Sequence, residues 1–125
     1  MVPLPYHVFQ ALQAHNAPAV FATVDTGGNP NVIYVMLVKT DDPEILLLND
    51  SVFTKTRANI LSGSRGTVTF LTPEHKAYQI KGNLVYHTSG ALFEHMRASV
   101  DPAHARVAAV ELKVDEVYEG AERLA

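Results

Sequence analysis

Val8, Phe9 and Leu12 recur at helical spacing behind Val2-Pro-Leu-Pro5, which predicts a helix starting at Pro5 or Tyr6 and stopped by Asn16 to Pro18. Ala19 to Asp25 then reads as a strand. Thr26-Gly-Gly-Asn-Pro30 reads as a turn whose two glycines are free to take positive φ. Asn31 to Lys39 is dense in β-branched and aromatic residues and forms the return arm of a hairpin. This arm is apolar on both faces, so burial is expected on both sides, by core on one and by something else on the other. Asp41-Asp-Pro43 makes the next turn, and Glu44 to Asn49 a third strand around the apolar run Ile45 to Leu48.

A short helix follows between Ser51 and Gly63, with Thr54 as the expected N-cap and Gly63 as the residue just past its end. Gly66 to Leu71 alternates as a strand, and Pro73-Glu-His75 turns the chain. Ala77 to His87 is a long strand with Gly82 in its middle, the place for a bulge or sharp bend. Ser89 is read as the cap of a helix carrying Leu92, Phe93, Met96 and Val100 on one side, ended by Asp101-Pro102. Arg106 to Tyr118 alternates as a long last strand. The order is helix, three strands, helix, two strands, helix, strand. Hairpins dominate, so the class is mainly β with short helices, a six-stranded antiparallel barrel rather than a parallel doubly wound sheet.

Composition narrows the chemistry. The chain has 125 residues, 47% apolar and 18% charged, enough for one domain with a real core. The formal charge is -3 and no basic stripe occurs, so no nucleic-acid partner is expected. Absence of cysteine excludes disulfides, thiolate metal sites and cysteine nucleophiles. The N-terminal stretch carries Gln10, Gln13, His15 and Asn16 and shows no signal peptide or membrane span, which makes a cytoplasmic location the expectation.

Charge placement singles out the middle helix. Lys55 and Arg57 fall in its first turn, where the helix dipole is already positive. An anion such as a phosphate would resolve that conflict. Taken alone, the segment reads first as a solvated surface helix, since many helices carry one such lysine. Of the two cations Arg57 is the weaker candidate, because two residues after Lys55 it can point to solvent. Six histidines are present, but His87 and His95, the nearest pair, fall on a strand end and a helix, and no His-Glu-x-x-His occurs, so no metal site is expected. No serine sits in a nucleophile-elbow pattern.

Four pieces in order carry a resemblance: Asn31-Val-Ile-Tyr-Val-Met-Leu-Val-Lys39, Thr54-Lys-Thr-Arg-Ala-Asn-Ile60, Tyr78-Gln-Ile-Lys-Gly82 and Ser89-Gly-Ala-Leu-Phe-Glu94. Over nearly its whole length the chain resembles the pyridoxamine 5'-phosphate oxidase-like FMN-binding split barrels, above all the small bacterial FMN-binding proteins. The resemblance implies a split barrel and a homodimer with FMN at the subunit interface. It places Val32, Ile33 and Tyr34 beside the isoalloxazine, and Leu48, Asn49, Asp50 and Ser51 at the adjoining strand end and loop. Lys55 and Thr56 match the pair that holds the phosphate, and Gln79 a strand glutamine that often reaches the cofactor, commonly from the second subunit. Phe53 and Tyr34 either edge the flavin or pack as ordinary core, and Thr54 opens the phosphate-binding turn. The resemblance stops short of the vitamin oxidase itself: the second strand holds no Arg, and the chain ends Glu119-Gly-Ala-Glu-Arg-Leu-Ala125. Ser51 and Val52 also stand where the small proteins have glycines. The expected function is that of an FMN-binding electron-transfer protein or flavin-dependent oxidoreductase, with no catalytic residue assigned and the redox partner open. The rivals are a split barrel holding deazaflavin or haem, one that only stores FMN, and a structural barrel without cofactor.

Overall fold

A computed structural model describes all 125 residues. It contains α1 (Tyr6–Ala14), β1 (Ala19–Val24), β2 (Pro30–Val35), β3 (Leu37–Val38), β4 (Ile45–Asp50), α2 (Lys55–Leu61), β5 (Arg65–Leu71), β6 (Ala77–His87), α3 (Ala91–Ser99), β7 (Ala108–Glu119) and β8 (Glu122–Arg123). The fold is mainly β with short helices, as expected, but with eight strands where six are read from the sequence. The expected second strand is two strands. Its first half pairs with β1 and its second half with β4, so Met36 falls where the chain changes partners and belongs to neither ladder. The other addition, β8, folds back on β7 through a turn in which Gly120 has φ 56°.

All pairings are antiparallel, in the order β2-β1-β5-β6-β7-β4-β3. The two ends of this series are consecutive pieces of one chain segment. The sheet therefore curls round on itself, and its seam lies at Met36: a split barrel. Phe21, Leu46, Leu48, Val68, Ile80, Val110, Leu112, Val114 and Val117 fill the interior. Val8 and Leu12 of α1 join this cluster, and Met96 of α3 packs outside it against Val38, Leu47 and Ala109.

Two expected caps are absent. Thr54 is the residue before α2, but its backbone is in the right-handed helical region rather than extended, and its hydroxyl makes no capping bond. Before α3 the capping position belongs to Gly90 with φ 94°, one residue after Ser89. The expectation for Gly63 is met: it has φ 93° and its amide donates to the Ile60 carbonyl. The second strand departs from two-sided burial. Val35 is buried, but Val32, Tyr34 and Met36 are 61%, 78% and 56% exposed. No helix is long and apolar enough to cross a membrane.

Candidate cofactor site

The site is built where the end of β4 turns into α2 against β2. The buried residues of α2 are Thr56, Asn59 and Ile60, the spacing of a single helical face. Asn59 Nδ2 donates to Thr23 Oγ1 on β1 (3.0 Å), and Asn31 Nδ2 on β2 donates to Thr56 Oγ1 (2.9 Å). These bonds hold the helix over the hairpin and leave Lys55 exposed, in no ion pair or hydrogen bond.

Arg57 behaves differently from either sequence expectation: its side chain is partly exposed, yet its guanidinium is engaged by the protein's own Asp50 rather than left to solvent or to a free anion. Its Nε and Nη2 donate to Asp50 Oδ2 and Oδ1 at 2.7 and 3.0 Å, and its Nε also donates to the Tyr86 hydroxyl at 2.9 Å. Tyr86 donates in turn to Asp50 Oδ2, and the Phe53 amide to Asp50 Oδ1 at 2.8 Å. Asp50 is fully buried. The guanidinium is held protonated well beyond its ordinary range, first by its bond to Asp50. Burial, then the bond to Asp50, pushes the Tyr86 hydroxyl up.

Two clefts open beside this cluster. The smaller, of about 160 Å³, lies between Asn31, Ile33 and Tyr34 of β2 and the run Ser51 to Thr56. The larger, of about 530 Å³, lies between Tyr34 to Lys39 on one side and Asn49, Ser51 and Phe53 on the other, with Ser99 to Asp101 and His104 at its far wall. Tyr34, Ser51 and Phe53 wall both clefts, so the two lie side by side.

Most of the residues singled out by sequence converge here: Ile33, Tyr34, Asn49, Ser51, Phe53, Thr54, Lys55 and Thr56. Val32 shares the outward face of β2 with Tyr34 but lines neither cleft. Leu48 is buried in the barrel core, and the Asp50 carboxylate is engaged by the protein itself. Gln79 lies on β6, opposite Thr69 and Tyr118, and lines neither cleft. Three contributors were not foreseen. Asn31 positions Thr56. Met36 to Lys39 form a cleft wall because the strand bends. The loop between α3 and β7 brings His104 to the larger cleft, and no sequence signal marks that approach.

The donor set fits a planar ring carrying a phosphate. The larger cleft is walled by Tyr34, Met36, Leu37, Val38 and Phe53, apolar and aromatic surfaces suited to a ring system. The smaller has a free ammonium at Lys55. Its buried Thr56 hydroxyl accepts from Asn31 while its own proton has no acceptor in the protein. The side chains carry this fit, because a seven-residue helix has only a weak dipole. His87 bonds Glu111 Oε1 (2.9 Å) and His95 bonds the Lys39 carbonyl (2.7 Å), so the two histidines have separate partners.

The sequence profile described as pyridoxamine 5'-phosphate oxidase matches residues 7–120. The chain belongs to this family. It is 30% identical over 102 residues to the uncharacterized protein MJ0282 of Methanocaldococcus jannaschii, covering 78% of this chain and 68% of that one. Among solved structures, HupZ of group A Streptococcus superposes with a TM-score of 0.82 at 21% identity over 100% of this chain and 99% of that one. An FMN-binding protein of Syntrophomonas wolfei gives 0.73 at 12% over 90% and 82%. The family fold also extends to the heme storage protein HutZ of Vibrio cholerae (0.67, 14%, 94% and 95%) and to an F420 reductase (0.64, 16%, 94% and 98%).

Proposed function

We propose that the protein is a homodimeric FMN-binding protein of the electron-transfer or oxidoreductase kind. The reading rests on one observation above others: a single unpaired cation, Lys55, stands beside the unused Thr56 hydroxyl proton in a cleft that adjoins a larger aromatic slot. In this reading Lys55 and Thr56 hold the phosphate by charge-assisted hydrogen bonds. Tyr34 and Phe53 wall the ring system and exclude water, and backbone amides of β2 and of Ser51, Val52 and Thr54 serve the ring carbonyls without adding charge. The bound flavin supplies the redox chemistry; the chain binds, shields and orients it.

The partner subunit completes the site. Val32, Tyr34 and Met36 form an exposed apolar face next to the clefts, the kind of surface that a symmetric partner covers. Gln79, remote from the clefts of its own protomer, would serve the partner's cofactor.

A second reading is haem in the same slot. It is favoured by His104 on the wall of the larger cleft, since imidazole is an iron ligand. Purification from a flavin-, deazaflavin- and haem-replete host, followed by release and identification of the bound chromophore, separates the readings. Released FMN supports the first. Haem or deazaflavin in its place contradicts it.

A further inference from the structure

We infer that Asp50 is a positioning residue for the cofactor site, acting with Arg57 and Tyr86 to hold the Ser51 to Phe53 side of the cleft and the loop that carries His104; the inference rests on the phosphate reading of Lys55 given above. Asp50 bonds to four segments around the site: the loop after β4, α2, β6 and the loop before β7. Its carboxylate accepts from the Phe53 amide, which fixes the loop carrying Ser51 and Phe53, the walls common to both clefts. The same carboxylate takes Arg57 of α2 and Tyr86 of β6. Its backbone carbonyl accepts from the Val107 amide (2.9 Å), and the neighbouring Asn49 Nδ2 donates to the Ala105 carbonyl (3.0 Å). These last two bonds tie down the loop that supplies His104 to the far wall. One buried residue thus joins the end of β4, the start of α2, β6 and the loop before β7.

The cluster also sets the charge of the phosphate side. Arg57 is two residues from Lys55, yet its guanidinium is turned onto Asp50 and neutralised there. Lys55 is left as the free cation lining the smaller cleft. Asp50 therefore anchors the helix that carries Lys55 and holds the arginine away from the smaller cleft.

The test combines amide exchange with flavin titration in wild type, Tyr86→Phe, Asp50→Asn, Arg57→Met, Arg57→Lys and Lys55→Ala. Exchange is followed at Phe53, with Val68 in the barrel core as control. In the cofactor-free protein, Tyr86→Phe and Asp50→Asn are expected to speed exchange at Phe53 by about tenfold, the equivalent of ~1.4 kcal/mol, with Val68 reporting the accompanying loss of global stability separately. FMN affinity should fall by about tenfold in both and riboflavin affinity by less, since Phe53 walls the ring slot that both flavins use while Lys55 serves only the phosphate. Arg57→Lys should recover part of what Arg57→Met loses. Unchanged Phe53 exchange overturns the positioning role. A Lys55→Ala variant with an unaltered FMN-to-riboflavin ratio would contradict the phosphate reading alone, and exchange at Phe53 would still decide the role of Asp50.

Discussion

Gly82 lies so close to β7 that a Cβ built on it would stand 1.9 Å from the Lys113 carbonyl oxygen. The pairing of β6 with β7 shifts here. Lys81 faces Glu116 and Gly82 faces Val114, so Asp115 is the extra residue of a bulge that tightens the barrel wall. Since the obstacle is backbone, no side-chain rotation relieves it. Gly82→Ala should cost at least about 3 kcal/mol, at the top of the usual range for overpacking, and urea denaturation checks it.

The Asp50–Arg57 pair predicts a second large loss. Removing the carboxylate in Asp50→Ala leaves the guanidinium, the Tyr86 hydroxyl and the Phe53 amide without their common acceptor. Fully buried pairs broken from one side lose about 3–5 kcal/mol. The Arg57 side chain keeps 35% of its surface exposed, and water there screens the orphaned charge, so about 2–3 kcal/mol is expected in chemical denaturation.

Alkaline pH should weaken the fold through Tyr86. Its ordinary value is 10.0, and burial followed by the bond to Asp50 raises it in the folded protein. The folded chain then holds a proton that the unfolded chain releases. This contribution to stability is intact below the unfolded value and is lost as pH rises through the higher folded one. Tyr78 is raised as well, first by burial, and adds to the same loss. Lys39 runs the other way: burial lowers its ordinary value of 10.5, so its charging opposes folding less as pH rises. Comparing denaturation of wild type and Tyr86→Phe on either side of pH 10 isolates the first effect. The Tyr86→Phe variant should show the shallower decline.

The exposed Val32, Tyr34 and Met36 predict the assembly. A charge placed among them, as in Met36→Asp, should convert a dimer to monomer at micromolar concentration and weaken FMN binding in parallel. Light scattering reads the mass. A wild type that is only monomeric at that concentration contradicts the dimer.

The barrel was largely legible in the sequence, because strand alternation and turn residues report local structure and, the second strand apart, the expected strand centres coincide with those observed. Met36 was not, because a change of pairing partner leaves no mark on apolar periodicity. At the site, Lys55 and Thr56 could be singled out from their place at a helix start. The fate of Arg57 depended on Asp50, seven residues away, and on Tyr86, brought in by a different strand. Sequence spacing carries a cation's position but not the partner that claims it. The same holds for His104, whose approach to the cleft is set by the Asn49 and Asp50 contacts to its loop.

The most direct measurement is titration of FMN and of riboflavin into wild type and Lys55→Ala. A charge-assisted hydrogen bond contributes roughly 1.5–3 kcal/mol. The Lys55→Ala variant should therefore bind FMN about tenfold to a hundredfold more weakly. Riboflavin, which lacks the phosphate, should bind both proteins alike, and thermal stability should hardly change because Lys55 is exposed and unpaired. An unaltered FMN affinity, or an equal loss for both flavins, would contradict the role of Lys55 as the phosphate-binding cation.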